Sequence, residues 1–390
     1  MRCIRPRTAG FSVFLVLLVS AACSDDGSDT DPELLFAAGS YEVGYQELEL
    51  TYRPAAAAED RTLPVSVWYP AASGSGAPAV EYSVAGVVSV ASDRALVEPP
   101  VADDGRFPVA IYSHGSRGTA VLGYPYGELF ASHGWVFAAP SHIGNTAVDG
   151  LQDPFAQILL NRPNDITALI DGLDNGLGRP ALGEQSDTSR VFVIGHSLGG
   201  YTALASAGAD MSLDRLVESC QGVNCDVLAD AQVAAAFQAG FGDPRVVAVV
   251  PQAPAVTAGF ADGEIAALEV AVMLQSGRLD QTTTQAAEAE PTWSALDGPD
   301  DLWIDVPMGA HHTFITVCDD LPDTILRAFL PNAYMDGCGP DFIPVAQAVP
   351  VLGAYALGFA RRHVLGESGW DSELRGPAWR PGFAISVGNE

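Results

Sequence analysis

Arg190–Leu204 reads R-V-F-V-I-G-H-S-L-G-G-Y-T-A-L, and the rest of the chain arranges itself around it. Val191–Ile194 is a short apolar, largely β-branched run, the pattern of a buried strand. Gly195-His196-Ser197-Leu198-Gly199 fits G-x-S-x-G, and the residues from Gly200 to Leu204 continue as a helix. Strand, sharp turn and helix make this five-residue pattern a nucleophile elbow. Two residues before and two after the serine the backbone presses on itself, so both places need glycine. The turn is expected to hold the Ser197 hydroxyl out at the end of the sheet. The N–H of Leu198, at the helix start, then becomes a donor for developing negative charge. Without that flanking strand and helix, the same letters are a glycine-rich loop that happens to contain serine.

Upstream, Phe107–Tyr112 is another buried strand, running into Ser113-His114-Gly115-Ser116-Arg117-Gly118. A His-Gly loop after an early strand can supply a second oxyanion donor, and the N–H of Ser116 is the candidate, with a plain turn as the alternative. His114 reads as structural. Gly127–His133 predicts a helix and Gly134–Pro140 the next parallel strand. Ser141–Asn145 follows at its C-terminal end, where ligands of open α/β sheets bind. Arg162–Leu173 predicts an amphipathic helix opening at a proline. Tyr45–Tyr52 and Leu63–Tyr69 alternate as an initial antiparallel hairpin. Residues 78–105 show little pattern.

Downstream, residues 208–242 are longer than a βα connection needs, and predict a cap over the site or a surface excursion. Pro244–Val250, Val270–Gln275 and Leu302–Val306 are further strands. Asp280 lies just beyond the second of these, and a structural turn is its bland alternative. His311 and His312 lie in the loop after the third. Spacing does not separate the two histidines, and His311 is preferred. The order Ser197, Asp280, His311 gives a nucleophile, an orienting acid and a base in the sequence this kind of sheet uses. A serine hydroxyl is a poor nucleophile until a histidine takes its proton and a carboxylate fixes the imidazole tautomer. Val345–Leu365 predicts the closing helix, with His363 solvated at its end. The pattern as a whole is α/β, with a mostly parallel central sheet and helices on both faces.

Composition bounds the setting. The 390 residues carry a formal net charge of −29, and all 19 basic residues are arginine, so a lysine nucleophile or Schiff base is excluded. Such acidity argues against nucleic acid or anionic membrane surfaces as partners. Residues 1–23 read as an export signal: Arg2, Arg5 and Arg7, then the apolar Phe11–Val19, then small residues before Cys23. Ser20-Ala21-Ala22-Cys23 resembles a lipoprotein lipobox with serine in place of the usual leucine. Cys23 is therefore the expected lipidation site and the only expected membrane contact, with simple secretion as the alternative. Residues 24–40 read as an acidic flexible linker. Cys220, Cys225, Cys318 and Cys338 remain. Their even number in an exported chain predicts disulfides, Cys220–Cys225 and Cys318–Cys338 by proximity. Zinc is the alternative, but no histidine is suitably spaced; no metal site and no cofactor is expected.

F-P-V-A-I-Y-S-H-G, A-S-H-G-W-V-F-A-A-P, G-H-S-L-G-G and S-G-R-L-D-Q-T-T together resemble α/β-hydrolases of the platelet-activating-factor acetylhydrolase and dienelactone-hydrolase-like group. L-P-V-S-V-W-Y-P near the start is also similar, and cutinase-type enzymes share the pattern. The resemblance spans residues 42–366. It implies an α/β-hydrolase domain over 41–368, with 369–390 as a tail. It also implies Ser197 as nucleophile, Asp280 as acid, His311 as base and Ser116 as oxyanion donor. Two departures stand out. Ser197 replaces the cysteine of dienelactone hydrolases, and V-V-P-Q-A-P carries no acid where the mammalian acetylhydrolases place theirs. The implied activity is hydrolysis of carboxylic esters, short-acyl or lipid-like. A lipase or polyester hydrolase, a peptidase and a non-catalytic binding protein on the same scaffold are the alternatives.

Overall fold

The computed structural model describes residues 30–388, apart from residues 55, 85, 150 and 151. The expected export signal and Cys23 lie outside the described residues. Eleven strands among those described form one sheet: β1 Glu42–Tyr52, β2 Arg61–Ala71, β3 Ala79–Val84, β4 Val88–Val97, β5 Phe107–Ser113, β6 Val136–Pro140, β7 Ser186–His196, β8 Val246–Gln252, β9 Ala271–Gly277, β10 Leu302–Val306 and β11 Ala384–Val387. Their order is β11-β10-β9-β8-β7-β5-β6-β2-β1-β4-β3. The run from β6 through β5, β7, β8 and β9 to β10 is parallel. β1 and β2 form the expected antiparallel hairpin, with Glu42 opposite Ala71.

The helices that matter here are α1 Tyr124–Ser132, α2 Phe155–Asp174, α3 Leu198–Ser206, α4 Leu213–Ser219, α5 Val223–Ala229, α6 Ala231–Ala239, α7 Asp323–Phe329, α8 Val345–His363 and α9 Trp370–Arg375. They cover both faces of the sheet. Phe192 and Ile194 of β7 pack into the core shared with α1 and α8, while Val191 and Val193 pack into the core shared with α2 and α3. This two-sided burial is why the parallel strands read as unbroken apolar runs.

Four sequence expectations change. Residues 79–97 form the β3–β4 hairpin. Its signal is the alternation of buried Val80, Tyr82 and Val84 with exposed Ala79, Glu81 and Ser83. α2 begins at Phe155 and not at Arg162, so Pro163 is inside it. Pro163 has no N–H for the Leu159 carbonyl four residues back; the Tyr201 hydroxyl of α3 donates to that carbonyl at 2.8 Å instead. The acidic linker ends early: Leu35 is buried in the α8 core, and Glu33 pairs with Arg380. Nor is the chain beyond residue 368 a tail. Trp370 is fully buried, and β11 pairs antiparallel with β10.

Candidate active site

Ser197 sits between β7 and α3 with φ 57° and ψ −118°. This is a conformation a side-chain-bearing residue adopts only when its surroundings impose it. The imposition is visible in the glycines. A Cβ on Gly195 would lie 2.0 Å from the Gly199 carbonyl oxygen, and one on Gly199 would lie 1.9 Å from that of Ser113. The Ser197 N–H donates to the Gln252 carbonyl at 2.8 Å, tying the turn to the end of β8.

Asp280 follows β9 and His311 follows β10, two neighbouring parallel strands. The loops beyond them touch: a Cβ on Gly277 would lie 2.5 Å from the Gly309 carbonyl carbon. The structure brings Ser197, Asp280 and His311 together. His311 Nδ1 lies 2.9 Å from Asp280 Oδ2, and His311 Nε2 lies 3.1 Å from Ser197 Oγ. Asp280 Oδ1 also accepts the N–H groups of Thr282 and Thr283, at 2.8 and 2.7 Å. These donors hold the carboxylate still. With Nδ1–H directed at Asp280, Nε2 is free to accept the serine proton.

The neighbouring histidine is differently placed. His312 Nδ1 donates to the Asp336 carbonyl at 2.8 Å, and burial with the adjacent His311 lowers its pKa. His196, the variable residue before the serine, donates from Nε2 to the His311 carbonyl at 2.8 Å. Burial holds it far below the usual histidine range. His363 is half-buried against Phe359 rather than solvated, and burial depresses its pKa to about 4.

Two groups escaped the sequence reading. Asp336 is buried in the stretch closed by the Cys318–Cys338 disulfide. Its Oδ1 accepts the N–H groups of Gln281 and His311, at 2.9 and 3.2 Å, and its Oδ2 accepts the Thr282 hydroxyl at 2.6 Å. Arg162 of α2 is buried beneath the loop that carries Ser116. No motif marked either one, because their partners lie far away in sequence. Ser116 itself is exposed at the mouth of the site. Among the described residues no acceptor meets its N–H. The preceding Gly115 is pressed against Ser197: a Cβ there would lie 3.2 Å from the serine Cβ.

A cavity of about 530 Å³ opens over Ser197 and His311. Val84 of the β3–β4 hairpin, Leu122, Ile315, Leu321, Ile325 and Phe329 give it apolar walls. The segment 208–242 expected as a cap contributes nothing to it. It forms α4, α5 and α6, stapled by Cys220–Cys225 and packed on the outer side of α2, where Asn224 accepts the Ala156 N–H. The wall it was expected to supply comes from residues 315–333 instead.

The sheet order and the strand–turn–helix at Ser197 define the α/β-hydrolase fold. Ferulic acid esterase from Streptomyces cinnamoneus is similar in structure, with a TM-score of 0.63 over 89% of this chain and 97% of its own, at 22% identity. At that identity the likeness is one of fold. No protein-family model and no curated protein sequence matches the chain. The two disulfides fit an oxidising compartment. No helix among the described residues is long and apolar enough to cross a membrane.

Proposed function

We propose that this protein is an exported serine hydrolase that cleaves carboxylic esters through an acyl-enzyme. The observation that carries the proposal is the continuous chain from Ser197 Oγ through His311 to Asp280. His311 Nε2 takes the serine proton as Oγ attacks the ester carbonyl. Asp280 fixes the tautomer and stabilises the imidazolium that forms. The N–H groups of Leu198 and Ser116 receive the tetrahedral oxyanion. Collapse expels the alcohol, which takes its proton from His311. Water, deprotonated by the same histidine, then releases the acid.

The apolar cavity favours an ester with an aliphatic or aromatic portion of modest size. This fits the acetylhydrolase-like group that the sequence resembles, and aryl esters belong in the same test because the similar structure is a ferulic acid esterase. A lipid anchor at Cys23 would hold the domain at the cell envelope on a short acidic tether. The test is hydrolysis of p-nitrophenyl esters of two to sixteen carbons and of methyl ferulate, beside labelling by a fluorophosphonate probe. Labelling of Ser197 and turnover highest on short or aryl esters is the expected result. Turnover rising with chain length would move the substrate class to lipase or polyester hydrolase, and an unlabelled, folded protein would overturn the enzyme reading.

A further inference from the structure

Beneath the Ser116 loop lies a polar cluster that the acyl-transfer chemistry does not itself use. The Arg162 guanidinium is wholly buried and makes no ion pair among the described residues. It donates from Nη1 to the His114 carbonyl at 2.8 Å and from Nη2 to the Gly115 carbonyl at 3.2 Å. Nε and Nη2 also reach Asn145 Oδ1, at 3.2 and 3.0 Å. Asn145 Nδ2 in turn donates to Ser116 Oγ at 3.1 Å, and the Asn145 carbonyl accepts the Arg117 N–H at 3.1 Å. His114 Nδ1 and the Gly118 N–H donate to the Gly115 carbonyl as well, at 2.7 and 3.0 Å. Both lone pairs of that carbonyl are therefore engaged.

The Gly115 carbonyl and the Ser116 N–H belong to one peptide unit. Donors on the carbonyl draw electron density from the nitrogen and make the N–H a stronger donor. They also fix the plane of the peptide, so the N–H leaves on the side away from Arg162, and Ser116 lines the cavity over Ser197. A charged donor does both more strongly than a neutral one. Burial lowers the Arg162 pKa to about 9, with Asp165 opposing, which leaves the group charged at neutral pH. An unpaired buried cation is costly to fold around. Here it sits one peptide from where negative charge would develop.

We infer that Arg162 is a positioning residue for the oxyanion site, orienting and polarising the Gly115–Ser116 peptide through its carbonyl so that the Ser116 N–H binds the tetrahedral intermediate. This rests on the serine-hydrolase reading and deepens it.

The test compares wild type, R162K, R162M and N145A. Rates are expressed per Ser197 site titrated with a fluorophosphonate, so that unfolded protein does not count. Each protein is also assayed with an aryl trifluoromethyl ketone, whose adduct with Ser197 carries the oxyanion. Loss of an oxyanion donor typically costs about 10²–10³ in rate. R162M should lose that much kcat with KM changed less than about threefold, and the ketone should weaken by the same factor as kcat/KM. R162K should recover part of both. N145A should move both in the same direction by a smaller factor, and it decides the matter if R162M fails to fold. Folded R162M within threefold of wild type, or a ketone affinity that stays put while kcat falls, overturns the inference. A wild type that neither labels nor turns over any ester points instead at the enzyme reading.

Discussion

The Asp336 carboxylate accepts the backbone N–H of His311, and with the same oxygen it accepts the N–H of Gln281, one residue after Asp280. One buried side chain thus ties the loop bearing His311, the proposed base, to the loop bearing Asp280, the proposed acid. Misplacing a catalytic group by about 1 Å can cost about 10²-fold. D336A should therefore lower kcat by roughly ten- to a hundredfold, while D336N, which keeps one acceptor oxygen, should lose less. Steady-state kinetics beside thermal melts decides it. A folded D336A with wild-type kcat would sink the idea.

The two adjacent histidines should separate cleanly. His311 bridges Ser197 and Asp280, whereas His312 spends its Nδ1 on the Asp336 carbonyl. H311A should lose about 10³-fold or more in kcat, with a residue left by the oxyanion site and binding. H312A should stay within about tenfold, its loss coming from the cavity wall and the Asp336 contact. Comparable losses in both would place the base elsewhere.

Strain at the elbow has a measurable counterpart in stability. Ser197 holds φ 57° and ψ −118°, a conformation that costs about 1–3 kcal/mol for a residue with a Cβ. Glycine occupies it freely but gains entropy in the unfolded chain. S197G should thus be inactive yet more stable than S197A by about 1 kcal/mol in urea unfolding. S197A more stable than S197G would mean that the turn is not strained, since glycine's unfolded-state entropy would then act alone.

Parallel strands were legible because each buries both faces and so reads as a plain apolar run; the elbow was legible because steric contact demands glycine at Gly195 and Gly199. Asp280 and His311 followed from position, each just past a strand end. Asp336 and Arg162 were not legible. An aspartate between two cysteines and an arginine before a proline carry no local pattern, and their meaning comes from loops 25 to 55 residues away in one case and 17 to 48 away in the other. The start of α2 was misplaced for a related reason: Pro163 looked like a helix opening, and the Tyr201 hydroxyl that lets it sit inside the helix belongs to another element. β11 was missed because Ala384–Val387 is short and half-exposed at the sheet edge.

Removing the disulfides should have unequal consequences. Cys318–Cys338 closes a separation of 20 residues that includes Asp336 and much of the cavity wall; Cys220–Cys225 closes only 5, from the end of α4 into α5. Loop-closure entropy gives about 3 kcal/mol for the first and about 2 kcal/mol for the second. C318S/C338S should also raise KM, while C220S/C225S should leave it unchanged. A KM rise from the second pair alone would contradict the placement of the cavity wall.

Acid should destabilise the protein earlier than its carboxylates alone would suggest. Burial lowers the pKa of His142 and His363 to about 4, and holds His114 and His196 well below the usual value. An unfolded imidazole binds a proton below about pH 6.5, while His142 and His363 do not until near pH 4, and His114 and His196 stay neutral well below their ordinary range. Between those limits the unfolded chain binds more protons. Stability is therefore full above about 6.5 and falls as pH drops towards 4, by up to about 1.4 kcal/mol per pH unit for each imidazole. Asp301 acts oppositely: burial raises its carboxyl to about 6, so the folded chain holds a proton there that the unfolded chain loses. Burial raises Glu128, Asp153, Asp210 and Asp320 in the same sense as Asp301, and lowers His133 and His312 with the other four; the imidazoles, whose ordinary pKa lies at the top of the interval, outweigh these carboxyls. Urea unfolding should show stability dropping by at least about 2 kcal/mol from pH 6.5 to 5.0, and D301N should steepen the drop by removing one opposing group. A stability that is flat or rising over that interval would mean that these histidines are protonated in the folded protein.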